Sequence, residues 1–394
     1  MAFHALMVEV FIAGAGPAGA TTALVLARAG LRVLLVDRAR FPRDKLCGDT
    51  INPGALAVLD RLGLSSYVEE HGLRLDGMIV TGEGGARVRG RYRGCWGRAL
   101  RRRDLDWWLV RSAIAAGARF EDGVQVLEAM VSQGERGPEV RGVVVRGRDG
   151  TPLQLPALAT VAADGRRSTL AFGLGLARHP AWPRRWAAGA YVEGVAGLTS
   201  YGEMHVRRHS YLGVAPMPGG VANACLVTGD RRGFDDPGAR LRAAIAADAR
   251  LRERFAHARF VSPVVSLGPL AVDTTAAGLR GLVLAGDAAG FIDPITGDGI
   301  HFALRGAELA ALAVLDGLQG SDGSAHERLA ISRRAAFARK RLFNRVLRRI
   351  VGAPEGVRLA GLAGRVAPFV FRRIIAIAGD VDAAGRLPSV SKER

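Results

Sequence analysis

Apolar and polar residues follow one another along this chain with periods that change from block to block, and the changes mark the elements. "VEVFIAGAGPAGATTALVLARAGLRVLLVDRAR" opens with a short, nearly unbroken apolar run, breaks at glycines and continues as small and apolar residues to Ala29. Gly30 follows, and a second apolar run, "RVLLVD", ends in Asp37. Unbroken apolar runs bounded by glycine suit strands buried on both faces, and the longer small-residue run suits a helix packed on them. The block therefore predicts strand, glycine turn, helix, strand. "ATVAADGRRSTL" (159–170) is a further apolar strand running into Asp164-Gly165. "GLVLAGDAAGFIDPITGDGIHFALRGAELAALAVL" (281–315) predicts a strand, Gly286-Asp287, a loop, and a long helix from near Gly299.

Between these blocks the period shortens. "SYLGVAPMPGGVANACLV" reads as an antiparallel pair turning at Pro218-Gly219-Gly220, and residues 76–97 read as a hairpin-like insertion. Near the end, Phe337, Leu342, Phe343, Val346, Leu347 and Ile350 recur at helical spacing among arginines.

Composition narrows the class. With 394 residues and 49% hydrophobic content the chain buries a large core, which excludes disorder. Cys47, Cys95 and Cys225 are widely spaced and odd in number, so no disulfide framework is expected and a reducing, cytoplasmic location is. No leader-like charged and apolar segment opens the sequence, and no uncharged apolar run of about 18 residues would span a bilayer. The formal charge of +18 rests almost wholly on arginine, since Lys45, Lys340 and Lys392 are the only lysines. That skew, with abundant Ala and Gly, reads as base-composition bias, and no basic stripe interleaved with stacking aromatics points to nucleic acid. Residues 333–373 exceed the background, with twelve basic residues against the single acid Glu355. A basic amphipathic helix of this kind suits either a solvated face or peripheral contact with a membrane.

The chemistry begins at Gly14, Gly16 and Gly19, in G-x-G-x-x-G spacing with Pro17 and Ala18 between them. Gly14 permits the tight turn, Gly16 lets a pyrophosphate approach the backbone, and Gly19 allows close helix–strand packing. The helix N-terminus presents free N–H groups to phosphate, and Asp37 stands where a ribose-binding carboxylate belongs. Strand, turn, helix, strand and terminal acid in one block make this a dinucleotide site. No second such unit is present for a nicotinamide domain. In "DPITGDGI", Pro294 stiffens a loop whose Gly297 and Gly299 let backbone N–H groups reach a ligand, with the positive end of the helix behind them.

Three blocks together (Gly14 to Gly19, Ala163-Asp164-Gly165, Gly286-Asp287) resemble the FAD-binding signature of the para-hydroxybenzoate-hydroxylase-type flavoproteins. "RDKLCGDTINPG" with "GDAAGFIDPITGDGIHFALRGAELAA" resembles, more narrowly, the geranylgeranyl-reductase-like branch. The resemblance implies an α/β fold in which a Rossmann-like FAD-binding domain (1–75, 98–175 and 266–330) is interleaved with an antiparallel-sheet substrate domain (76–97 and 176–265). A C-terminal helical segment (331–394) follows. It implies FAD as cofactor, reduced by NADPH, NADH or an external reductase. Asp37 then meets the adenosine ribose, Arg38 beside it is counted among the cofactor-binding residues, and Asp164 supports the pyrophosphate. Arg102, followed by Leu105 and Asp106, meets the pyrophosphate too, with Arg101 and Arg103 as rivals. Asp287 beside Gly286 binds the ribityl chain, while Gly297, Gly299 and Ile300 pass beside the flavin.

Cys47, Gly48 and Asp49 would shape the flavin's substrate side. Metal binding is not expected, because no C-x-x-C, H-E-x-x-H or local histidine cluster accompanies Cys47. A thiolate stays open if a cation or helix end lowers its pKa. Cys47, Tyr211 and Pro294 are the candidates nearest the chemistry. Members that reduce prenyl chains carry aromatics at alternate positions after the tyrosine, where Gly213 and Ala215 stand here. Halogenases place tryptophans in that strand, and this chain has none there. Two activities are expected. The eroded aromatic strand and the intact Asp164-Gly165 favour an FAD-dependent monooxygenase acting on a hydrophobic, aromatic, quinone- or polyketide-like metabolite. The Cys47 loop favours reduction of a carbon–carbon double bond in a prenyl lipid. A non-catalytic, membrane-docked flavin-binding scaffold is the remote third.

Overall fold

The computed structural model describes residues 8–92, 94–147, 150–182, 184–320, 324–352 and 368–379. β1 (Val8–Ala13) leads through the glycine turn to α1 (Pro17–Arg28) and β2 (Val33–Asp37). The chain leaves this sheet for β3 (Gly77–Thr81) and β4 (Arg87–Arg91). It returns through α2 (Arg102–Ala115) to β5 (Arg119–Asp122), β6 (Gln125–Gly134), β7 (Gly137–Arg146) and β8 (Pro152–Ala162). A second excursion forms β9 (Trp186–Glu193), β10 (Tyr201–Arg207), β11 (Ser210–Pro216) and β12 (Val221–Thr228), then α3 (Pro237–Ala247) and α4 (Ala249–Arg254). β13 (Leu282–Leu284) rejoins the first sheet before α5 (Gly299–Gly320), α6 (Ala325–Gly352) and α7 (Pro368–Ala378).

In the first sheet, β13, β8, β1, β2 and β5 lie side by side and parallel, with the β6–β7 hairpin antiparallel off β8. Both faces are covered, which is why β1 and β2 read as unbroken apolar runs. One face packs on α1, α2 and α5, the other on the β6–β7 hairpin and the segment around Leu170. The glycine turn is fixed by sterics. Gly14 has φ 93°, and a Cβ at Gly19 would collide with the Gly14 carbonyl oxygen. The three sequence blocks thus meet in one mixed α/β unit of Rossmann type.

The second sheet has the order β9, β12, β11, β10, β3, β4, all antiparallel except β10 against β3. Its strands alternate. Leu212, Val214, Ala224 and Leu226 face α3 and α4 on one side. Ala187, Met204, Tyr211, Cys225 and Val227 face the nucleotide-binding unit on the other. The turn at Pro218-Gly219-Gly220 and the 76–97 hairpin are found as the sequence suggests. Of the 331–394 segment, α6 begins earlier, at Ala325, while residues 353–367 and 380–394 lie outside the described residues.

Candidate active site

α1 starts at Pro17 behind an extended Gly16, and no side chain caps its first N–H groups. Two guanidinium groups come to this turn. A Cβ at Gly16 would lie 3.7 Å from Arg43 Nη2 and 3.9 Å from Arg102 Nη2. Fully buried Asp106 holds both. Arg102 Nε and Nη2 donate to its two oxygens at 2.8 and 2.8 Å, and Arg43 Nη1 lies 2.9 Å from Oδ2. Free helix N–H groups facing two fixed guanidinia make a cradle for a dianion. Geometry also separates the rivals of Arg102. Arg101 lies over the Tyr191 ring at 4.8 Å, and Arg103 is half-exposed near Asp44. Arg43 was not nominated from sequence, since its partner Asp106 stands far away in the chain.

Around the cradle, Asp37 accepts from Ala15 N–H at 2.9 Å and from Ala39 N–H at 2.8 Å, bracing the glycine turn. Asp164 accepts from Thr169 N–H at 2.8 Å through Oδ2, while its Oδ1 is buried with no hydrogen-bond partner among the described residues. Desolvation holds the carboxyl groups of Asp164 and Asp287 above the usual range. Lys45 is lowered to about 8, first by desolvation and then by Arg166, Arg102 and Arg43.

The loop carrying Cys47 lies flat on the second sheet. A Cβ at Gly189 in β9 would sit 2.6 Å from Leu46 Cδ1, so the bare backbone admits the loop. Asn223 Nδ2 donates to the Cys47 carbonyl at 2.7 Å and to Asp49 at 2.6 Å. Asp49, wholly buried at φ 54°, also accepts from Tyr191 Oη at 2.7 Å and Arg102 N–H at 3.1 Å. Burial raises its carboxyl to about 6 despite these donors. Burial likewise raises the Cys47 thiol, with Arg102 opposing, and pushes Cys225 up to about 12. The cation expected to favour a Cys47 thiolate is present, but desolvation outweighs it.

On the other wall, Asp293 accepts from Tyr211 Oη at 2.6 Å and pairs with Arg185 at 3.2 Å, while its Oδ1 caps Ile295 N–H. Burial and Asp293 raise the Tyr211 phenol well above its ordinary value. Pro294 follows in a short turn ending at Gly297, φ 67°, and α5 begins at Gly299. Thr296 Oγ1 is buried and unpartnered among the described residues. Asp298, just before α5, is buried among Lys340 at 3.0 Å and the amides of Asn52 and Asn344 at 3.1 Å each. No group of side chains suited to a metal ion occurs among the described residues.

These walls enclose a cavity of about 530 Å³. The residues nominated from sequence as a cofactor or chemical site line it, except Gly19, which does its work one turn behind the opening, the buried Asp49, and the rivals Arg101 and Arg103. Arg43, Lys45, Arg166 and Asn223 join them. The family model for the FAD binding domain matches residues 7–343. The chain belongs to the FAD-binding domain family. FAD fits this cavity. The pyrophosphate of FAD would answer the two guanidinia at Gly16, and its sugar and ribityl hydroxyl groups would answer the unpaired oxygens of Asp164 and Thr296. The family member described here is an FAD-dependent oxidoreductase, similar to reductases among its named relatives. It is 30% identical to menaquinone reductase of Mycolicibacterium smegmatis over 78% of this chain and 76% of that protein. Digeranylgeranylglycerophospholipid reductase 2 of Methanopyrus kandleri is 28% identical over 80% of this chain and 79% of its own. In structure, a geranylgeranyl bacteriochlorophyll reductase-like protein of Thermoplasma acidophilum superposes with a TM-score of 0.77, at 20% identity, over 96% of this chain and 95% of that one.

Proposed function

We propose that this FAD-binding domain protein reduces a carbon–carbon double bond in the prenyl chain of an isoprenoid lipid or quinone. One observation carries the reading: the cavity-facing side of the second sheet is built of small and apolar residues. Ala187, Gly202, Met204, Gly213, Ala215 and Cys225 line it, with Tyr211, Asn223 and Glu203 as its polar residues, all already hydrogen-bonded within the protein. Such a wall offers an alkyl chain contact without stranding polar groups, and offers a charged substrate little. The smaller residues at Gly213 and Ala215, which on sequence grounds favour oxygen insertion, suit a bulky isoprenoid chain equally well. The similarity to two prenyl-lipid reductases over about four-fifths of the chain then tips the choice.

When bound and reduced, FAD supplies a hydride to one alkene carbon. The other carbon takes a proton. Tyr211 and Cys47 both line the cavity and are held protonated by burial, so either stocks that proton at neutral pH. Asp106 fixes Arg43 and Arg102 where they would hold the pyrophosphate, and α5 aims its N-terminus into the cavity, where it would stabilise negative charge developing on reduction. The electrons come from a nicotinamide or a partner reductase. Holoenzyme reduced under argon and mixed with a detergent-solubilised prenylquinone tests this by mass spectrometry of the product. Gain of two hydrogens in the prenyl chain without oxygen is expected, retained after the ring is reoxidised to the quinone in air. A gain that reoxidation removes is quinol formation and would sink the double-bond reading. Turnover only in air, with gain of one oxygen atom, would sink the reductase and restore the monooxygenase.

A further inference from the structure

The last of the described helices, α7, is apolar on two opposite sides. Its inward side is accounted for. Ile375 is buried against β4, where a Cβ at Gly90 would meet its side chain at 2.6 Å, and Gly379 lies against the Tyr92 ring. Its final carbonyls are held as well. Lys340 Nζ donates to Ile377 O at 2.7 Å and Ala378 O at 2.9 Å, and Asn52 Nδ2 reaches Ala378 O at 3.3 Å. Tyr92 and Asn52 are cavity-lining residues, so α7 backs directly onto the wall of the site.

The outward side has no such partners among the described residues. Phe369 is 70% exposed, and Val370 and Ile377 stand beside it with the exposed Arg372 and Arg373. α6 repeats the combination. Leu342, Val346 and Ile350 are exposed together with Arg345 and Arg349. From Ile331 to Ala378 the sequence holds one acid, Glu355. Exposed apolar side chains set among arginines, with almost no opposing charge, complement a surface that is negative and apolar just beneath.

We propose that α7, with the outward face of α6, seats the protein on an anionic bilayer. Phe369, Val370 and Ile377 enter the headgroup boundary, while Arg372 and Arg373 sit at lipid phosphates. This deepens the prenyl-reductase reading and rests on it, because the seat holds the Asn52 and Tyr92 wall at the surface from which such a substrate is drawn. Lys340 ties the seat to Asp298, at the start of the helix behind the flavin loop.

The test is co-sedimentation of holoenzyme with vesicles of phosphatidylglycerol and phosphatidylcholine, against phosphatidylcholine alone. Binding to the anionic vesicles is expected, weakened at least tenfold in about 0.5 M salt. Arg372→Glu/Arg373→Glu should lose about fivefold or more per arginine. Phe369→Asp/Ile377→Asp should lose binding with FAD content unchanged. Failure to bind anionic vesicles at low salt, or equal binding by both variants, overturns the seat. So does a dimer that these variants dissociate and that does not bind vesicles, which assigns the face to a second copy. Turnover of detergent-solubilised prenylquinone is measured in parallel. Turnover without vesicle binding removes the seat and leaves the reductase, whereas variant-sensitive binding without turnover keeps the seat and removes the reductase.

Discussion

Asp49 and Tyr191 meet at 2.7 Å, joining the loop beside Cys47 to the second sheet through a carboxylate that is wholly buried. The carboxylate takes three donors on its two oxygens, from Tyr191, Asn223 and the Arg102 backbone, and Asn223 also donates to the Cys47 carbonyl. Its φ of 54° is one that Asp and Asn tolerate better than other side chains. The loop therefore reaches the cavity already fixed to the second sheet.

That bond has a pH signature. The Asp49 carboxyl rises from 3.8 unfolded to about 6 folded, so the folded chain binds the extra proton. Its contribution to stability is full below pH 3.8 and is lost as pH rises through about 6. The total is roughly 3 kcal/mol. Asp49→Asn keeps the shape and the backbone conformation but cannot titrate. The difference in melting temperature, wild type minus variant, should fall steadily between about pH 4 and 7 and be flat above. A difference independent of pH would show that Asp49 does not carry the buried proton.

Asp106 orders the cradle, and Arg43 and Arg102 depend on it together. Asp106→Ala leaves two guanidinia near Gly16 without their counter-charge, so it should cost roughly 3–5 kcal/mol of stability and strip FAD during purification. Arg103→Ala, on an exposed side chain of the same run, should do neither. Flavin absorbance per polypeptide and thermal melts of both variants check the pair. Equal flavin content in both would remove Asp106 from the cradle.

Much of this architecture was legible in the sequence because its signals are local. Gly14 and Gly286 take a positive φ, and Gly19 is pressed on the Gly14 carbonyl oxygen five residues before it. What escaped was pairing at a distance. Arg43 belongs with Asp106, Asn223 and Tyr191 belong with Asp49, and Lys340 belongs with Asp298, and in each case only the fold makes them neighbours. Cys47 shows a further limit. The sequence displays the nearby cations, while the desolvation that outweighs them depends on the sheet laid over the loop.

Gly213 measures the room left for substrate. A Cβ there meets nothing nearer than 3.8 Å, and the position faces the cavity. Gly213→Phe should fold and keep FAD, because a strand accepts the aromatic and Gly213 lies on the second sheet, away from the Gly16 cradle. The ring occupies chain-binding space, so KM for a prenylated substrate should rise tenfold or more with flavin content unchanged. An unaltered KM would place the substrate away from β11.

Lys45 links FAD binding to protons. In the free protein its pKa is lowered to about 8, by desolvation first and by Arg166, Arg102 and Arg43 after it. A bound pyrophosphate brings two negative charges to those same arginines and must raise the lysine's pKa again. Affinity gained through Lys45 is then fully present below about pH 8 and fades as pH rises through the higher value of the complex. Calorimetric titration of apoprotein with FAD near pH 8, in buffers of different ionisation enthalpy, should show uptake of a fraction of a proton. Lys45→Met should abolish that uptake and flatten the pH dependence, and should also steady the apoprotein, since a crowded cation has been removed. Undiminished proton uptake in the variant would assign it to Asp164 or Asp287, whose carboxyls burial holds high.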